Sequence, residues 1–330
     1  MTMASASRRR LAIDLGFSLG LAVVYFLLAR ISMLFSVHSA HVSYIWLPAG
    51  LALAALLAGG PRLIFGVALG AFAAEYSDSS ALLPALAIAL GNSASAFAGA
   101  WALQRLSFSR SLEHPRHLLM LTGVGAFAAP IVSATIGTSA MLWSAQFHWG
   151  EWPPMWATWW AADALGVLLL TPLLLAWPVQ RAGPPSRPAA LALSALQLAV
   201  GVCVFMLHTP AGVYIYLTLA VIGAMHIPLT GVMLINLLTF SVAALGVLVG
   251  VGPLAGSSLH DSLTILQTYG VVSALAALLV SALTAERAQA EAQRRRSLER
   301  FQQLTALSAD WYWEQDENLR FTQLAGRAVE

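Results

Sequence analysis

The sequence predicts an all-α polytopic membrane protein, a bundle of about ten transmembrane helices continued by a C-terminal signalling helix, with eight spans as the fallback count. Three observations carry that reading. Hydrophobic residues make up 58% of 330 and charged residues only 10%, with a mean hydropathy of +0.74. Apolar stretches of bilayer length recur from residue 11 to residue 285. The arginines fall on alternate loops.

A soluble domain carries roughly 25% charged residues, so water would solvate this surface poorly and a bilayer well. The formal net charge of +2 is too small to argue for nucleic acid, and none is expected as a partner. All 17 basic residues are Arg. The single Cys203 excludes an intrachain disulfide or a cysteine-rich metal site, and it is expected to pack as a small hydrophobe. No cofactor is implied.

An arm at residues 1–10, with Arg8, Arg9 and Arg10, precedes the first apolar stretch. That stretch is too long for a cleavable leader and has no clear small-residue cleavage site, so it reads as a span. A crossing helix needs about 20 mostly apolar residues. Candidates lie near 11–35, 44–60, 63–76, 81–104, 118–143, 153–177, 189–208, 211–226, 229–250 and 262–285, the third and eighth being short. With the N-terminus inside, Arg62, Arg105, Arg110, Arg116, Arg181, Arg187 and the cluster Arg294, Arg295, Arg296 are cytoplasmic. The outer loops then hold Asp78, Glu151 and Asp261 and no Arg, as the positive-inside rule requires. Both termini are therefore expected in the cytoplasm.

Small residues four apart, Gly16/Gly20, Gly66/Gly70, Gly91/Ser95/Gly99 and Gly246/Gly250, mark faces where backbones can approach. Trp46, Trp143, Trp149, Trp152 and Trp156 gather at outer ends, as interfacial aromatics do. Pro48 lies in the first turn of its helix, and Pro172 is mid-span and expected to kink the sixth.

Composition changes after residue 285. Residues 286–308 are rich in Ala, Glu, Gln and Arg and free of Gly and Pro, which continues the last span as a helix. Leu298, Phe301, Thr305 and Ser308 fall at three- and four-residue steps, a short seam that would pair two copies as a homodimer and relay motion; a solvated helix is the alternative. Within 309–330, Asp310-Trp311-Tyr312-Trp313 and then Asp316-Glu317-Asn318 predict a strand, a tight turn and a second strand. This looks like the truncated start of a PAS domain, so any catalysis is expected after Glu330.

The membrane part carries a resemblance of its own. Trp46-Leu47-Pro48-Ala49-Gly50, Gly59-Gly60-Pro61-Arg62, Gly70-Ala71-Phe72, Gly91-Asn92, Trp159-Trp160-Ala161-Ala162-Asp163-Ala164-Leu165-Gly166 and Thr171-Pro172 occur in order across residues 11–285. Together they resemble the membrane-associated sensor family of the first MASE type. The resemblance implies an input module in the bacterial inner membrane, serving histidine kinases, diguanylate cyclases or cyclic-di-GMP phosphodiesterases.

Ionisable groups within spans are costly and face protein or water. Arg30 lies five residues from the outer end of the first span, Glu75 closes the third, and Asp163 lies about 15 Å into the sixth at 1.5 Å per residue. Arg30 is expected to pair with Asp163 or Glu75 around an outward pocket for a small ligand. Snorkelling of Arg30 and Glu75 to the interface is the alternative. Asn92, with Ser95 one turn away, joins that network or acts as interhelical glue. Asp14 reads as a neighbour of Arg10. His38, His41, His148 and His260 are scattered at the outer face without ligand spacing, and His208 and His226 end spans, so no metal site is expected.

Three function classes compete. The sensor reading rests on the tail. A transporter would use Arg30, Glu75, Asn92 and Asp163 as solute or proton sites. An intramembrane enzyme lacks a recognisable motif.

Overall fold

The computed structural model describes residues 3–36, 42–79, 81–110, 112, 114–180, 188–207, 210–308 and 311–326. Prolines begin many of its helices, because a first-turn residue has no intrahelical donor to lose. After α1 (Met3–Met33), α2 (Leu47–Gly59) carries Pro48 in its first turn and ends at Gly60, whose φ of +88° suits glycine. Then come α3 (Ile64–Ser79) and α4 (Leu82–Arg105). The next rod is composite: α5 (Pro115–Met120), a π-helical segment (Leu121–Ala128) and α6 (Pro130–Trp143). The remaining helices are α7 (Trp152–Gln180), α8 (Pro188–Met206), α9 (Pro210–His226), α10 (Leu229–Leu248) and α11 (Leu259–Ser308).

These occupy all ten expected segments. Seven of the described helices are long and apolar enough to cross a membrane. Besides the expected short pair α3 and α9, α2 is short, at 13 residues. Residues 42–46 are extended rather than helical because neighbouring chain satisfies their donors: Tyr44 N–H donates to Phe35 O at 3.0 Å and Trp46 N–H to Ala162 O at 3.2 Å.

The π segment reflects Pro130, whose ring and missing N–H disturb the ordinary ladder. Ala129 N–H instead reaches back five residues to Val124 O at 2.9 Å.

Helix α7 runs through the middle. Residues 162–169 are buried on every side, against α2, α6, α10 and the π segment. Its contact with α2 is backbone on backbone, since a Cβ at Gly50 would overlap Gly166 O and one at Gly166 would overlap Trp46 O. Thr171 Oγ1 donates to Gly50 O at 2.9 Å beside it. The helix continues through Pro172 to Gln180.

The small-residue faces divide. Gly66 and Gly70 meet Ser18, Ala22 and Tyr25 of α1, Gly91 meets Ile136, Gly99 meets Ala129, and Gly246 meets Phe205 O. Gly16 and Gly20 meet nothing, and Gly250 lies beyond α10 with φ +72°, so these do not mediate packing as expected. Cys203 is exposed rather than packed, in keeping with apolar outer faces that also carry Phe17, Phe65 and Leu90.

Residues 283–330 form a separate compact unit. In it Leu298 and Phe301 are exposed; the side chains of Thr305 and Ser308 lie outside the described residues. Strand β1 (Trp311–Gln315) pairs antiparallel with β2 (Phe321–Gly326), the strand, turn and strand expected here. Asp316 Oδ1 closes the turn by accepting from Asn318 N–H and Arg320 N–H, each at 2.9 Å.

Candidate functional site

The ends of four segments bring ionisable side chains together. Arg30 comes from the last turn of α1, Trp46 from the extended stretch before α2, Glu75 and Asp78 from the end of α3, and Trp159 and Asp163 from the first half of α7. Alternation of the helices puts all of these at one end of the bundle. They enclose a cavity of about 390 Å³, within the range of small-molecule sites at about 300–1,000 Å³.

Three of the four expected site residues, Arg30, Glu75 and Asp163, line this cavity. The expected pairing is corrected. Arg30 forms its ion pair with Asp78 at 3.7 Å, not with Asp163 or Glu75, and both partners are about half exposed. Asp78 lies almost one turn beyond Glu75, at the cavity mouth, where the guanidinium keeps its hydration instead of paying for burial. Glu75 has no ion-pair partner among the described residues.

Asp163 is 1% exposed. Ser133 of α6 donates to its Oδ2 at 2.5 Å, and the Trp159 indole lies beside it. Its Oδ1 has no hydrogen-bond partner among the described residues. Asn92, the fourth expected residue, is on the wall of a second, smaller space that also takes in Trp46 and Asp163. Ser95 shares that wall but donates to Ala129 O at 2.9 Å rather than to Asn92. Trp46 is buried at 7% exposure and is not interfacial; Trp143 and Trp149 are exposed. At the opposite end Asp14 pairs with Arg62 at 2.9 Å.

The cavity wall is tied to α11. Tyr44 hydroxyl bonds His260 Nδ1 at 2.5 Å, and Gln267 Nε2 donates to Tyr44 O at 2.9 Å and Thr158 O at 3.1 Å. Burial raises the Tyr44 phenol above its ordinary pKa, so it stays protonated at neutral pH. Sequence reasoning missed Tyr25, Tyr44, Ser133 and Gln267. A glutamine inside an apolar span was a readable signal; a tyrosine or serine there is too common to be one.

Among the other motif residues, Trp160 Nε1 donates to Phe127 O at 2.8 Å at the end of a Trp152, Trp156, Trp160 stack along α7. His148 caps the turn before α7, its backbone N–H donating to Glu151 Oε2 at 2.8 Å. His38, His41 and His208 lie outside the described residues, as do Arg181 and Arg187. Among the described residues no group of three or more His, Cys, Asp or Glu is placed to hold a metal.

Fold and site together define a multi-pass helical membrane protein with a solute-sized, charged cavity at one end. The family model MASE1 matches residues 17–288, and the chain belongs to that family of membrane sensor domains typical of signalling proteins. No curated protein matches the chain, and no solved structure does.

Proposed function

We propose that this chain is the sensory input module of a bacterial signal-transduction protein in the inner membrane. It passes a stimulus to cytoplasmic PAS and output domains of a histidine kinase, diguanylate cyclase or phosphodiesterase. The observation that carries this is the attachment of α11 to the cavity: His260 and Gln267, near its start, hold the extended stretch whose Ser43 and Trp46 line the site. A solute that moves this stretch moves the base of the helix whose bounds reach Ser308.

Arg62, Arg105, Arg110 and Arg116 lie at helix ends and in the connections between them at the end away from the cavity, which supports an outward-facing cavity and a cytoplasmic C-terminus. The 311–326 hairpin supports a PAS start. Exposed Leu298 and Phe301 support a homodimer through α11. Asp78 absorbs the charge of Arg30, which leaves Glu75 and Asp163 beside two indoles; this favours a small solute bearing an ammonium group.

Single cysteines test the reading in a Cys203→Ser background. Phe301→Cys should crosslink between copies in native membranes, and Asp163→Asn should change its yield. A cysteine replacing Glu330 should be labelled only from the cytoplasmic side. Transport is the second reading, since the same carboxylates suit a solute or proton path. Ethylammonium uptake into proteoliposomes, with crosslinking indifferent to Asp163→Asn, would establish it instead.

A further inference from the structure

Beside the cavity, and sharing Trp46 and Asp163 with it, is a small internal space of about 10 Å³. Four buried polar atoms on its lining residues have no hydrogen-bond partner among the described residues: Tyr25 Oη, Trp46 Nε1, Asn92 Nδ2 and Asp163 Oδ1. They come from α1, the stretch before α2, α4 and α7. The indole and the amide both lie close enough to the Tyr25 hydroxyl to interact with it. Unpaired buried polar atoms are rare in folded proteins, and four around one space call for a common partner.

We infer that this space is a binding site for a single water molecule, which joins the four side chains and couples the cavity to α1 and α4. The size agrees, since a water needs about 10–15 Å³ of probe-occupied volume. So does the chemistry. A water accepts two hydrogen bonds and donates two. Trp46 and Asn92 supply N–H donors, Asp163 supplies an acceptor, and the Tyr25 hydroxyl completes the set in either role. A metal or sodium ion fits poorly, because two of the four groups would turn their hydrogens toward it.

Trp46 and Asp163 line both spaces. The water is therefore one bond away from the cavity, on the far side of its wall. Ser133 fixes the other carboxylate oxygen, so Asp163 cannot turn toward a solute without giving up a partner. The relay rests on the sensory reading: a solute that engages Asp163 or Trp46 removes a bond from the water and loosens its hold on Tyr25 and Asn92. The water site itself does not rest on that reading.

The sign of a stability change tests the site. If the four atoms are unpaired, deleting a polar group relieves a cost and raises the melting midpoint; if water pairs them, the same deletion lowers it. Tyr25→Phe removes one oxygen and leaves the ring in place, so its packing is preserved. Measured on the full chain in nanodiscs, Tyr25→Phe and Asn92→Leu should each lower the midpoint. An unchanged or raised midpoint for Tyr25→Phe overturns the proposal. Independently, the wild-type indole spectrum should contain one N–H with a cross-peak to water that Trp46→Phe abolishes, and absence of that cross-peak also overturns it. Neither readout involves output or crosslinking, so failure of the sensory reading leaves the water site standing and the reverse holds as well.

Discussion

Gln267 of α11 donates its side-chain amide to the main-chain carbonyl of Tyr44 at 2.9 Å, across 223 positions of sequence. The same amide reaches Thr158 O at 3.1 Å, so one side chain joins the longest helix, the wall of the cavity and α7. Gln267→Leu leaves two carbonyls without a donor in a water-poor interior. A loss of about 1–3 kcal/mol in unfolding free energy follows. Chemical denaturation in detergent measures it, and a variant as stable as the parent would show that the amide contributes nothing.

Tyr44 and His260 give a second, milder test. Tyr44→Phe removes a hydrogen bond worth about 0.5–1.5 kcal/mol. Because burial raises the phenol's pKa, the folded state favours the protonated form. Its contribution is therefore present below the ordinary tyrosine pKa and is lost as pH rises through the raised value. The stability gap between parent and Tyr44→Phe should hold at neutral pH and close under strongly alkaline conditions; a gap that closes toward acid would contradict this.

Glycines separate packed from open helix faces. Gly166→Ala drives a methyl into the Trp46 carbonyl, where backbone blocks relief on both sides, and should cost at least about 1–3 kcal/mol. Gly16→Ala meets open space, so its effect should be neutral or stabilising by up to about 1 kcal/mol through helix propensity. Melting curves of the two variants should move in opposite directions or differ widely. Equal shifts would mean that α2 and α7 are not in backbone contact.

A double-mutant cycle reads the partner of Arg30. Arg30→Ala and Asp78→Ala should couple by no more than about 1 kcal/mol, as both side chains are about half exposed, and the coupling should fade with salt. Arg30→Ala with Asp163→Ala should be additive. Strong coupling in the second cycle would restore the pairing expected from sequence.

Ser133→Ala probes the buried carboxylate. Without the hydroxyl, Asp163 Oδ2 loses the hydrogen bond from Ser133 and a drop of about 1–3 kcal/mol follows. Ser133→Thr, which keeps a donor, should recover part of it. Recovery distinguishes the hydrogen bond from simple packing.

Much of the site was legible because depth in a membrane is a local property. Counting residues along α7 is enough to find a charge that lipid cannot tolerate, and Asp163 was found in this way. Arg30 and Glu75 stood out for the same reason. Their partners were not legible. Asp78 looked like a loop residue, yet it takes Arg30 because the mouth of the cavity keeps both charges hydrated. Gly16/Gly20 had the same spacing as Gly66/Gly70 and meets nothing. Four-residue spacing defines a face of a helix but not what that face meets.

By itself the sequence determined the ten helical segments and the membrane class, since apolar length and loop charge act on each segment separately. Tertiary structure alone decided the lateral order of the helices and their rotations. From these follow the Gly50 and Gly166 contact, the small space shared by Tyr25 and Asn92, and the bond from Gln267 to Tyr44. A helix apolar on every side is welcome to lipid in any rotation, so only close packing against its neighbours fixes which residues turn inward.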